Sequence, residues 1–249
     1  MKKILICTGG TGGHIFPAIS LAQYLEKKNF HIDLITDYRA KKFINNINLK
    51  NITFINIKTP TGKKGLGLIY SIILIFISFF YSIIFLLFKK PQLIIGSGGY
   101  VSFPILLAAR LLNKKFIIYE TNSVVGRVNN FFLNSSLKIF TGFPLKNLNI
   151  NHDKISFVGQ LVREQIYKAK NDINLNEENN FDFTLLVIGG SQGAEIFSKI
   201  LPHSLNKLFS LNKKIRIFHQ AGNKEQESKI DFSYKNNSNV TIFNFFQSK

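Results

Sequence analysis

The chain has 249 residues, with 32 Lys and Arg against 14 Asp and Glu, a formal net charge of +18 and 45% hydrophobic residues. That apolar content supports one large domain or two modest ones and excludes disorder as the main description. Cys7 is the single cysteine, which excludes an internal disulfide and a multi-cysteine zinc cage and fits a reducing compartment.

Met1-Lys2-Lys3 is followed by a short apolar run before Thr8, too short for a signal-peptide core, so export by that route is not expected. A basic excess attracts polyanions, whether nucleic acid or an anionic membrane leaflet. The lysines are dispersed, with no basic arm, zinc finger or RNP-like motif, so no nucleic-acid partner is expected.

Residues 3–7 read as a strand, and Thr8-Gly9-Gly10-Thr11-Gly12-Gly13-His14 follows as a glycine-rich turn. From Ile15 to Lys28 the apolar residues Ile15, Ala18, Ile19, Ala22 and Leu25 recur at helical spacing, and His31 to Thr36 reads as the next strand. This βαβ unit implies a parallel sheet with its ligand site at the strands' carboxyl ends.

The pattern recurs. A strand over 92–95 enters Gly96-Ser97-Gly98-Gly99-Tyr100, a helix runs from about Pro104 to Leu112, and the strand 116–119 ends at Glu120-Thr121-Asn122. Further on, the strand 183–188 enters Gly189-Gly190-Ser191-Gln192-Gly193, followed by a helix over 194–209 and a strand over 215–219. Residues 149–182 are rich in Asn, Asp and Glu, the composition of a domain boundary. The expected fold class is therefore α/β, with two Rossmann-like domains.

Between these units, Gly65 to Phe88 carries no charge and is dominated by Ile, Leu and Phe, long enough on its own for a transmembrane helix. Ser71, Ser78 and Ser82 form one polar stripe, and the flanks Lys63-Lys64 and Lys89-Lys90 are equally basic. A crossing would also put the turns at 8–14 and 96–100 on opposite sides of the membrane. An interfacial or half-buried helix is expected instead, with Ile75, Phe79 and Phe80 facing lipid.

Glycine turns between strand and helix let backbone N–H groups approach a diphosphate closely. The first lacks the GxGxxG register, and no Gly-Lys-Ser/Thr follows any of the three, which argues against NAD enzymes and P-loop triphosphatases. His14, just inside a helix N-terminus, has the chemistry of a general base, with a purely structural role as the alternative. Glu120 and Asn122 follow a strand where ligand contacts collect, and either one equally suits a turn. Ser191 is a phosphate donor or a helix cap. His31, His152, His203 and His219 have no ligand spacing, so they read as surface or packing residues and no metal is expected.

Four segments in this order and spacing closely resemble the bacterial MurG family: residues 8–18 (TGGTGGHIFPA), 96–104 (GSGGYVSFP), 120–122 (ETN) and 189–194 (GGSQGA). Members transfer N-acetylglucosamine from its UDP ester to lipid I and so complete lipid II. The resemblance implies a GT-B fold with two parallel-sheet domains, an acceptor and membrane-facing domain over 1–163 and an incomplete nucleotide-sugar domain over 164–249. It implies a metal-independent, inverting reaction at the 4-hydroxyl of the muramoyl sugar, without cofactor, at the cytoplasmic face of the inner membrane. By motif, Thr11, Gly12, Gly13, Asn122 and Ser191 would contact the donor and His14 would be the base. Tyr100 and Glu120 would shape the acceptor side, with Glu120 grouped with His14 as catalytic. The apolar stretch falls on the family's membrane-association patch, which gives the basic charge an anionic surface to meet.

Departures accompany the match. The family's Gly-Asn-Pro-Val-Arg is here Gly159-Gln160-Leu161-Val162-Arg163, which keeps the donor-contacting Arg163. The family's His-Glu-Gln-Asn is here Tyr119-Glu120-Thr121-Asn122. Phe246 lies in the counterpart of the family's Phe-Ile-Asp-Asp-Met segment, as a further substrate contact, and the sequence ends at Lys249, before the Gly-Ala-x-Thr-x-x-Glu region that would hold uracil and ribose. The alternative expectation is an inactive remnant, or a non-catalytic membrane-bound subunit that needs a second polypeptide to complete the donor site.

Overall fold

A computed structural model describes residues 2–44, 47–145, 152–171, 181–189, 195–211, 213–222, 224–234 and 237–243. The chain divides into two compact units, Met1–Asn171 and Asp172–Lys249.

The first unit runs β1 (Lys3–Cys7), α1 (Gly12–Lys27), β2 (His31–Asp37), α2 (Lys41–Ile44), β3 (Ile52–Ile55), α3 (Leu66–Lys89) and β4 (Leu93–Gly96). It continues through α4 (Ser102–Leu111), β5 (Phe116–Glu120), α5 (Arg127–Phe132), β6 (Ile139–Thr141), β7 (Ile155–Phe157) and α6 (Glu164–Asn171). Helix α6, which follows the boundary expected at 163/164, groups with this unit. The strands form one sheet in the order β3-β2-β1-β4-β5-β6-β7, every pair parallel. Strand order reverses between β1 and β4, so the crevice at their carboxyl ends is the place where such sheets bind ligands.

Both faces of β1 are covered, as a central parallel strand requires. Ile4 and Ile6 pack against Ile15, Ala18, Ile19 and Ala22 of α1, while Leu5 and Cys7 face Leu86, Ile105, Leu106 and Phe132 on the opposite layer. Alternation along a short apolar strand thus sets two cores from five residues.

Helix α3 inverts the usual amphipathic arrangement. Its serine stripe faces the protein, with Ser71, Ser78 and Ser82 all buried beside Phe85 and Leu86. The small side chains allow close approach, and two hydroxyls are satisfied within the helix: Ser71 donates to Gly67 O at 2.9 Å and Ser82 to Ser78 O at 2.6 Å. The opposite face exposes Ile69, Ile73, Phe76, Ile77, Phe80 and Ile84. Ile75 and Phe79, expected to face lipid, instead pack against the core, and only Phe80 of the expected trio is exposed. The helix is uniformly apolar, so nothing but the serines marks its inner side.

The second unit has β8 (Phe183–Val187), α7 (Glu195–Ser210), β9 (Ile215–Gln220), α8 (Lys224–Ser233) and β10 (Val240–Phe243), with a parallel sheet ordered β10-β9-β8. Its core gathers Val187, Leu205, Ile215, Ile217, Ile230 and Tyr234. The α/β class with two parallel sheets is as expected from the sequence.

Candidate functional site

The glycine turns after β1 and β4 interlock at the switch point. Gly9 N donates to Gly98 O at 2.9 Å, and a Cβ on Gly99 would lie 2.7 Å from Gly9 Cα. Gly98 and Gly99 both hold positive φ, +80° and +78°. Only glycine satisfies both the conformation and the contact. Asp37, at the end of β2, accepts from Gly10 N at 3.1 Å, which fixes the first turn from the other side. Asp37 also takes Arg39 Nε at 2.9 Å and Nη2 at 2.7 Å, and this pairing, against the opposing effect of burial, holds its carboxyl below the ordinary range. The structure thus gives Asp37 the work of bracing a turn.

Around these turns lies a cleft of about 390 Å³ lined by Gly9, Thr11, His14, Gly98, Gly99, Tyr100, Glu120 and Asn122, together with Arg39, Thr59, Thr61, Gly126, Arg127 and Asn129. Five expected site residues, Thr11, His14, Tyr100, Glu120 and Asn122, therefore share one concave surface. Thr11 is the N-cap of α1, and its carbonyl accepts from His14 N and Ile15 N at 3.0 and 2.9 Å. The next two residues, buried Gly12 and exposed Gly13, open the helix with their amides at its positive end.

His14 is partly buried in this cleft, with Nδ1 3.4 Å from Thr121 Oγ1 and a further hydrogen bond to the Ser97 backbone. Burial pushes its pKa below the ordinary histidine value, although the nearby Glu120 charge opposes the shift. The imidazole is therefore neutral at neutral pH, the form that accepts a proton.

Glu120 is only 1% exposed and its carboxylate is fully committed. Oε1 accepts from Asn122 N and Nδ2 at 3.0 and 3.1 Å; Oε2 accepts from Gly126 N at 2.9 Å and Asn129 Nδ2 at 2.8 Å. Four donors fold the 120–129 segment around one buried side chain, which places Asn122, Gly126 and Asn129 at the cleft wall. Glu120 is by this geometry a positioning residue.

Tyr100 Oη is 2.6 Å from Thr61 Oγ1, and Arg127 Nη1 donates to the same oxygen at 3.4 Å. The loop that leads into α3 is thus tied to the second glycine turn. Arg163 does not line the cleft; its guanidinium stacks over the Phe16 ring of α1, 4.6 Å from the centroid. Ser191 and Phe246 lie outside the described residues. Arg39, Thr61, Arg127 and Asn129 were not singled out in the sequence. Arg39 follows β2's carboxyl end, a position that a parallel sheet alone marks as worth inspection.

Two family models cover most of the chain: the glycosyltransferase family 28 N-terminal domain over residues 4–141 and the family 28 C-terminal domain over 184–249. The chain belongs to glycosyltransferase family 28. Among its family 28 relatives, one from Pelagibacter ubique is 36% identical over 98% of this chain and 67% of its own length. Another, from Rickettsia felis, is 35% identical over 100% of this chain and 70% of its own. Both are named UDP-N-acetylglucosamine--N-acetylmuramyl-(pentapeptide) pyrophosphoryl-undecaprenol N-acetylglucosamine transferase, the MurG activity that the sequence resemblance implied. This chain thus spans about two thirds of their length. In fold it matches Acinetobacter baumannii MurG with a TM-score of 0.71 at 23% identity, covering all of this chain and 69% of that one. It also matches a UDP-GlcNAc 2-epimerase from Neisseria meningitidis, TM-score 0.65 at 14% identity, over 99% and 73% of the two chains. The architecture is that of GT-B glycosyltransferases such as MurG. The naming of the relatives favours a transferase over a non-catalytic subunit.

Proposed function

We propose that this family 28 chain transfers N-acetylglucosamine from UDP-N-acetylglucosamine to the 4-hydroxyl of the muramyl sugar of lipid I, forming lipid II. The observation that carries the reading is a neutral, cleft-lining His14 between two interlocked glycine turns, in a chain whose relatives bear that activity in their names. The acceptor oxygen attacks the anomeric carbon as the bond to UDP breaks, the configuration inverts, and the hydroxyl proton passes to His14. Backbone amides at the start of α1 stabilise negative charge in the cleft.

Membrane association belongs to the same reading. The outward face of α3 presents Phe76, Phe80 and Ile84 on a chain of net charge +18, a combination that suits a peripheral protein on an anionic cytoplasmic leaflet.

The test is sugar transfer to a soluble lipid I analogue by wild type and His14→Ala. The expected result is a fall in kcat of roughly 10²- to 10⁴-fold with donor affinity little changed, and a wild-type acid limb in kcat/KM with its midpoint below about 6.5. Near-normal turnover of His14→Ala removes the base from this role. Wild-type transfer that ignores the acceptor analogue removes the function.

A further inference from the structure

A second hollow of about 480 Å³ adjoins the His14 cleft, and the two share Arg39, Thr59 and Thr61 as a common wall. Its charge is one-sided. Asp37, its one lining carboxylate, is 2% exposed and neutralised by Arg39. Lys58 and Lys63 also line it. Lys58 Nζ lies 5.0 Å from the Tyr70 ring centroid and Lys63 Nζ donates to Ser71 Oγ at 3.0 Å, so both ammonium groups rest against consecutive residues of α3. Among the described residues neither is paired with a carboxylate. Two cations without a carboxylate partner among the described residues thus lie between the cleft and the first turns of an outwardly apolar helix.

We infer that this hollow is the subsite for a lipid-linked diphosphate, with Lys58 and Lys63 as its cationic donors. The inference rests on the proposed acceptor, in which a diphosphate joins the sugar to a polyprenyl chain. Connectivity orders the three parts: the sugar hydroxyl at His14, the prenyl chain along the apolar face of α3, and the diphosphate between them. The hollow occupies that middle position because its walls come from the cleft on one side and from loop residues seated on α3 on the other. Lysine ammonium groups suit it as rotatable point charges for phosphate oxygens. The phosphate of an ordinary phospholipid has the same chemistry, and the experiment separates the two sources.

Calorimetry on the full chain would compare a short-chain prenyl-diphosphate muramyl-pentapeptide with the same muramyl-pentapeptide lacking diphosphate and lipid. Lys58→Ala/Lys63→Ala is expected to bind the diphosphate probe about 10- to 100-fold more weakly, the scale of losing charge-assisted hydrogen bonds. Its binding of the probe without diphosphate should be unchanged, and Lys58→Arg/Lys63→Arg should restore most of the loss. Sedimentation with phosphatidylglycerol vesicles should show no matching loss in the alanine double variant. Circular dichroism checks that the variants fold, and single Lys58→Gln and Lys63→Gln variants serve if the double variant does not. Undiminished diphosphate binding in the lysine variants overturns the subsite, and lost vesicle binding with diphosphate binding intact assigns the hollow to phospholipid instead. Wild type that binds neither muramyl probe defeats the acceptor reading itself, a result distinguishable from failure of the lysines alone.

Discussion

Gly9 and Gly99 approach so closely that a Cβ on Gly99 would stand 2.7 Å from the Gly9 Cα and 3.0 Å from its nitrogen. Backbone cannot yield as a flexible side chain can, and the φ of +78° adds strain for any residue with a Cβ. Gly99→Ala is expected to lower unfolding free energy by at least about 2 kcal/mol. Gly13→Ala is the contrast, since a Cβ there meets nothing within 4 Å and lies in a helix. Urea unfolding of the two variants checks this, and equal midpoints would mean that the turns do not interlock.

Glu120 makes a different kind of demand. Its four hydrogen bonds go to donors only, so Glu120→Gln places an amide NH₂ where an acceptor is needed, and Glu120→Ala abandons all four donors. Of these donors only Asn129 Nδ2 belongs to a buried residue, and orphaning it costs about 1–3 kcal/mol, whereas Asn122 and Gly126 are exposed and can turn to water. Both variants should unfold earlier in urea, alanine by about 1–3 kcal/mol. If Glu120→Gln keeps wild-type stability but loses turnover, the carboxylate has a chemical task beyond holding the 120–129 segment.

His219 and Tyr234 set a pH limit on the second unit. His219 is fully buried, Nδ1 is 3.0 Å from Tyr234 Oη, and burial lowers the histidine pKa while pushing the tyrosine up to about 12. Below about pH 6.5 the unfolded chain takes up a proton that the native histidine resists, so stability is intact above that pH and declines as pH falls through it. The stability penalty of His219→Gln should therefore shrink between pH 7.5 and pH 5. A penalty constant across that range would show that the native imidazole titrates normally.

The parts of this molecule that were legible in its sequence are those carried by local rules. Glycine clusters between apolar runs marked the turns at 9–13 and 96–99, and these turns do meet at the switch point. The residues around them were harder to find because sheet order brings them in from a distance: Arg39 from the end of β2, Thr61 from the loop before α3, Arg127 from the start of α5. Arg163 matched a family motif, yet its described neighbour is Phe16, a contact no spacing rule anticipates. The three-residue strands β6 and β7 are too short for periodicity to register.

Helix α3 shows the same limit and supplies the sharpest test. A helix without charge from Leu66 to Phe88 gives no hydrophobic contrast to say which side is inward, so only the serine stripe encoded its orientation. Phe76, Phe80 and Ile84 are 61%, 50% and 55% exposed, whereas Ile75 and Phe79 pack on the core. Replacing the outer three by Ser removes apolar area available to lipid and leaves the core untouched. Since burying one large apolar side chain is worth about 1.5–3 kcal/mol, partitioning onto anionic vesicles should fall at least about tenfold while the melting temperature holds. Ile75→Ser with Phe79→Ser should do the reverse, costing about 2–5 kcal/mol of stability through core cavities. Vesicle sedimentation and thermal melts on both variants decide the matter. Release by the inner pair without destabilisation would mean that α3 turns its other face to the membrane, and salt-reversible binding indifferent to the outer three would leave charge alone as the anchor.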